Sequence, residues 1–196
     1  MKKYLGLALA LLLLPFSLQA QSCADESPET VALRLNTALE QGEWYSAASE
    51  FDPAVMKEVR RLLMEILATT PKAQRELTAA LIFKTLSLDN LSHVDDETFF
   101  SDYLGGEMRS NKGRIEDAKV IGSIAEAPDL AHVLISDQRP TGSFQVRKMD
   151  VISLRCGENG WRVQLTGDIR ELEEVARTFT KYSSELLDPS LGRQKN

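Results

Sequence analysis

Residues that carry chemistry are scarce in this chain. Its 196 residues include two histidines, two cysteines and two tryptophans, and that scarcity closes several routes. His93 and His132 stand in no ligand spacing such as H-E-x-x-H, and no C-x-x-C occurs, so no metal site is expected. Asp95-Asp96-Glu97 does not follow the D-x-D-x-D-G order of a calcium loop and reads as a helix start. A G-x-S-x-G nucleophile turn and a Walker-type phosphate loop are both missing, and no cofactor is expected. Basic charge is also short, with 23 Lys and Arg against 29 Asp and Glu and a formal net charge of −6. An acidic surface repels phosphate backbones, which argues against a nucleic-acid partner. Arg60-Arg61 reads as a solvated helix face. No repeat or low-complexity stretch is present, and beyond the first twenty residues charges interrupt every helix-like segment, so no mature transmembrane segment is expected.

What is present begins with an export signal. Lys2 and Lys3 precede the uncharged apolar run Leu5 to Leu18, and Leu18-Gln19-Ala20 ends in the small residue that a signal peptidase needs. The run falls short of the roughly 20 residues of a membrane-spanning helix, and Pro15 interrupts it. Residues 1–20 are therefore read as a signal peptide, 21–188 as one domain and 189–196 as a flexible tail. The leader removes two lysines and no acid, so the periplasmic or secreted product is more acidic still. Two fates are open to Cys23. Ala20-Gln21-Ser22 before it is a poor lipobox, which leaves lipid anchoring as an alternative. An oxidising compartment would instead join it to Cys156, the remaining cysteine; alternatively Cys156 is a small buried residue of a strand.

Along the chain the period changes once. Ser27-Pro28-Glu29 opens a helix whose apolar face, Val31, Ala32, Leu35, Ala38 and Leu39, stops at Gly42. A short helix carries Trp44, Tyr45, Ala48 and Phe51. Asp52-Pro53 then starts a long stripe of Val55, Met56, Val59, Leu62, Leu63, Ile66 and Leu67. Thr70-Pro71 opens a helix through Leu77, Ala80, Leu81 and Phe83, and Asp95 opens one presenting Phe99, Phe100, Tyr103 and Leu104, with Gly105-Gly106 as a kink or stop. From Ile115 to Ile124, Leu130 to Ser136, Phe144 to Cys156 and Trp161 to Ile169 the pattern is that of strands between turns, and Gly157-Glu158-Asn159-Gly160 is a hairpin signal. In the third strand Phe144, Val146, Ile152 and Leu154 share one phase with Lys148 and Asp150, which suggests a bulge or two-sided burial near Met149. A last helix carries Leu172, Val175, Ala176, Phe179, Tyr182 and Leu186. Strands without intervening helices must pair antiparallel, so the fold class is α+β, with N-terminal helices on an antiparallel sheet of about four strands and a C-terminal helix.

Two segments, Ala38 to Pro53 (ALEQGEWYSAASEFDP) and the hairpin CGENGWRVQLTG, resemble secreted members of the nuclear transport factor 2-like superfamily. The first is similar to that family's helix, Gly, short aromatic helix and Asp-Pro helix start; the second is similar to its Gly-Trp final strand. The resemblance implies a curved sheet holding helices in its concave face, with a pocket between them. The extra helices are similar in organisation to the periplasmic phospholipid-shuttle proteins. Trp44, Tyr45, Phe99, Phe100 and Tyr103 are candidates to line such a pocket, although aromatics at helical spacing are also ordinary core. Catalysis in related cones rests on an Asp or His, which singles out His132 and Asp150 as an acid–base pair; a sheet-surface histidine and an Asp150 ion pair with Lys148 or Arg147 are the plainer alternatives. The expected ligand site is thus Trp44, Tyr45, Tyr103, His132 and Asp150. The leading expectation is a non-enzymatic envelope protein binding a small apolar molecule or a protein partner. A lipid carrier, and an isomerase or hydrolase using His132 and Asp150, are the alternatives.

Overall fold

In the computed structural model, residues 23, 25–110, 115–141 and 144–186 are described; the expected signal peptide and tail lie outside them. Among the described residues six α-helices and four strands follow in the expected order. Helix α1 (Pro28–Gln41) starts at Ser27, whose side chain accepts from Thr30 N–H, and ends at Gly42 with φ 71°, a conformation in which a β-carbon is strained. Helix α2 spans Trp44–Ala48. Helix α3 (Pro53–Thr69) is capped by Asp52, and all seven residues of its apolar stripe are buried. A 3-10 turn leads into α4 (Arg75–Ile82), and α5 covers Asp96–Ser110. Strands β1 (Glu116–Ala127), β2 (Leu130–Thr141), β3 (Phe144–Gly157) and β4 (Gly160–Gln164) form one curved antiparallel sheet in sequence order, and α6 (Thr166–Leu186) closes the chain.

Helix α1 lies across the sheet, while α6 packs on α3 in the helical layer. The shared core joins Val31, Leu35, Leu62 and Leu63 from the helices to Ala131, Val133, Ile135, Leu154 and Val163 from the sheet. The opposite sheet face is bare: Ile124 and Met149 are 71% and 60% exposed, and Ile121 and Val151 are exposed beside them.

Several expectations are corrected. Phe51 is no helix residue but bridges to Val163 in parallel, so the segment before α3 extends the sheet edge. Leu77 and Leu81 are exposed, because α4 turns Ala79 inward instead. Helix α5 runs through Gly105-Gly106. A β-carbon on Gly106 would lie 1.9 Å from the carbonyl oxygen of Ile82, so this glycine allows α4 and α5 to touch. The last strand stops at Gln164, and Ile169 belongs to α6. Arg60 is not solvated: it donates to the carbonyls of Leu91 and Val94 and to Asp96, and stacks over Phe99 at 5.0 Å. Arg61 does lie on the surface between Glu58 and Glu65.

Cys23 and Cys156 form a disulfide, with Cα atoms 6.1 Å apart. It fastens the start of the domain to β3, and Trp161 Nε1 donates to the Cys23 carbonyl at 3.3 Å beside it. Such a bond fits an oxidising, exported environment. Among the described residues no helix is long and apolar enough to cross a membrane.

Candidate functional site

The register between β2 and β3 is unbroken from Leu130↔Arg155 to Thr141↔Phe144. Neither the bulge nor the two-sided burial expected near Met149 is found: Met149 is exposed, and the register shifts lie in β1. Strict alternation then puts Lys148 and Asp150 on the helix-covered face with Ile152 and Leu154, and leaves Met149 and Val151 on the bare one. On β2 the same face reads Ala131, Val133, Ile135, then Asp137 and Arg139. Both strands thus change from apolar to charged at the same register, where Ile135 faces Asp150 and Asp137 faces Lys148.

A cleft of about 390 Å³ opens at this change, between α1 and the sheet. Leu35, Leu39, Phe51, Ile152 and Val163 give it apolar walls; Asp137, Arg139, Lys148 and Asp150 give it a charged floor, and Asn36 adds an amide. Asp137 is 2% exposed at its side chain and is satisfied by Arg139, whose Nε and Nη2 donate to its two oxygens at 2.9 and 2.8 Å. The same Nη2 reaches Asp150 Oδ2 at 2.5 Å, and Lys148 Nζ lies 3.4 Å from Asp150 Oδ1. Its hydrogen bonds to Asp137, more than offsetting burial, and the nearby Asp137 and Asp150 charges push the Arg139 guanidinium further up from its already high value. The fork of Arg139 is thereby fixed before any ligand arrives.

Of the expected ligand residues, Asp150 alone lines this cleft. His132 sits on the other sheet face, opposite Ser153, with Nδ1 3.0 Å from Ser153 Oγ and Nε2 2.6 Å from Glu126 Oε2. It is the sheet-surface histidine, and it cannot share a proton path with Asp150 across the sheet. Tyr45 is exposed and donates to Glu97 Oε2 at 2.9 Å; that hydrogen bond, and the charge behind it, hold the phenol above its ordinary value. Trp44 is half-buried beneath Lys84, whose Nζ lies 5.4 Å from the ring. The Nε1 of Trp44 is buried with no hydrogen-bond partner among the described residues. Tyr103 packs beside Phe100 at 5.9 Å, and Phe99 and Phe100 are plain core. No cluster of histidine, cysteine and acid suited to a metal occurs among the described residues.

Compared with known proteins, the chain matches no family model, no curated protein and no solved structure.

Asp137, Arg139 and Asn36 are the site residues that sequence reasoning missed. A signal existed in the phase of β3, where Lys148 and Asp150 interrupt an apolar face. It acquires meaning only when the register sets Asp137 and Arg139 against them.

Proposed function

We propose that this chain is an exported, non-enzymatic binding protein that holds a small amphipathic molecule between α1 and the sheet. The observation that carries this reading is the cleft itself, where apolar walls meet a prearranged charged floor in a volume suited to one small ligand. Beyond the floor, Phe144 and Val146 continue the same phase of β3 with exposed side chains, adding an apolar lip. Enzyme chemistry through His132 and Asp150 loses its support, since the two lie on opposite faces of the sheet. A carrier of two-tailed lipid is also disfavoured, because acyl chains would cover Asp137, Arg139 and Asp150 without replacing their hydration.

Export is supported by the leader and by the Cys23–Cys156 disulfide, which excludes a lipid on the same sulfur. Kinship with the nuclear transport factor 2-like superfamily is supported by the order α1, short aromatic α2, Asp-Pro start of α3 and Gly-Trp entry of β4. Native mass spectrometry of the mature chain purified without detergent tests the binding reading. A copurifying small molecule is expected; an empty protein that also takes up nothing from a deproteinised cell extract would count against it. The bare sheet face with Ile121, Ile124, Met149 and Val151 supports a second reading, a protein partner on that side. In that case charged substitutions at Ile124 and Met149 would abolish association and leave small-molecule uptake intact.

A further inference from the structure

The hydrogen-bonding capacity left over in the cleft narrows the chemistry of what it can hold. Arg139 spends Nε and Nη2 on Asp137 and Asp150, and its Nη1 has no partner among the described residues. Lys148 makes one contact, to Asp150, and keeps two further donors at a side chain that is 53% exposed. The acids are better satisfied: Asp137 is buried with both oxygens engaged by Arg139, and each oxygen of Asp150 faces a cation. Spare capacity at the floor is thus on the donor side, at two cations, which suits an incoming anion. The four charges sum to zero before it arrives, so an anion meets no local excess of negative charge.

On the facing wall Asn36 is 4% exposed on α1 and lines the same cleft. Its Nδ2 donates to the Ala32 carbonyl at 2.9 Å, which leaves Oδ1 as an acceptor without a partner among the described residues. Oδ1 is not among the buried polar atoms that lack a partner, so it opens onto the cleft, where a donor on a ligand can replace solvent. Leu39, Phe51 and Ile152 give the same cleft apolar lining.

Resting on the binding reading, we propose that the cleft takes a small carboxylate with an apolar body and a hydrogen-bond donor near the carboxylate. The carboxylate is held by Arg139 Nη1 and Lys148, and the donor by Asn36 Oδ1. Hydroxy acids and N-acyl amino acids with apolar side chains are of this class.

Calorimetric titration of the disulfide-intact mature chain with four probes of one size tests it: phenyllactate, phenylpropanoate, phenylpropanol and phenylpropylammonium. Phenyllactate should bind tightest, phenylpropanoate a few-fold weaker, and phenylpropanol about tenfold weaker or more, as expected for a charge-assisted contact. Lys148→Gln should weaken both acids about three- to tenfold and leave phenylpropanol unchanged; Lys119→Gln, the same change of charge on β1, should alter nothing. Asn36→Leu should erase the advantage of phenyllactate over phenylpropanoate. Arg139 is left intact because its loss would strand Asp137. Equal binding of acid and alcohol, or preference for the ammonium probe, overturns the proposal while leaving the binding reading in place. Binding of none of the four also overturns it, and the binding reading then stands or falls on the copurification experiment.

Discussion

At Asp137 a carboxylate is held inside the sheet by one guanidinium and has no second cation among the described residues, whereas Arg139 also reaches Asp150. Removing one partner of a buried pair costs more than the pair contributes, because the survivor keeps its desolvation penalty. Asp137→Asn is therefore expected to lower unfolding stability by about 2–3 kcal/mol, below the usual range for fully buried pairs since Arg139 is partly exposed. Asp150→Asn, at a half-exposed carboxylate, should cost less than about 1 kcal/mol. Urea unfolding of both variants checks the ratio, and equal losses would show that Arg139 does not depend on Asp137. A second contrast lies in α5. Alanine at Gly106 meets the rigid carbonyl of Ile82, whereas at Gly105 it meets the flexible Lys84 side chain. Gly106→Ala should destabilise by about 1–3 kcal/mol and Gly105→Ala by much less or not at all. The helix pattern alone suggested only a kink or stop at these glycines, since close approach of a second helix leaves no trace in one helix's sequence.

Among the elements, the segment after α4 is held by two side chains of α5, with Arg109 donating to the carbonyls of Phe83 and Lys84 and Asp102 accepting from the residues that follow. Asp102 accepts from the backbone N–H of Thr85 and of Leu86, each at 2.9 Å, and from Thr85 Oγ1 at 2.6 Å. Burial raises its pKa, but these hydrogen bonds outweigh burial and hold the carboxyl below the ordinary aspartate range. A depressed value means that this group's stabilisation is complete above the unfolded-state pKa of about 4 and is lost as pH falls through the lower folded value. Asp102→Asn should therefore cost about 1 kcal/mol at neutral pH, a difference that shrinks in acid and that stability curves at pH 7 and pH 3 would reveal. Elements set by local chemistry were readable in advance: the Ser27 and Asp52 caps, the Gly42 stop and the Gly157–Gly160 hairpin all depend on residues within a turn. Elements set by packing were not. Leu77 and Leu81 share a helical spacing with Ala80, yet α4 follows a 3-10 turn that rotates Ala79 inward. Leu165 and Thr166 continue the alternation of β4, yet the backbone turns helical there.

For the molecule as a whole, the decisive constraint is the bond between residue 23 and residue 156, 133 positions apart. The cleft lies between helices that precede the sheet and strands that end it, so its two walls approach only after most of the chain is ordered. A crosslink across that span removes much of the unfolded chain's freedom, and the chain-entropy model assigns a loop of this length about 4–5 kcal/mol. Beside it, Trp161 Nε1 donates to the Cys23 carbonyl in a part-buried contact, and Glu26 pairs with Arg34 at the surface. Reduction should therefore lower the urea midpoint substantially without changing the fold at zero denaturant. Cys156→Ser should match the reduced wild type, because both lose the same crosslink while Cys23 gains no new partner. If Cys156→Ser unfolds like the oxidised protein, the constraint contributes nothing. If it unfolds earlier than the reduced wild type, the sulfur of Cys156 contributes by packing as well as by crosslinking, which its partial burial against the core would explain.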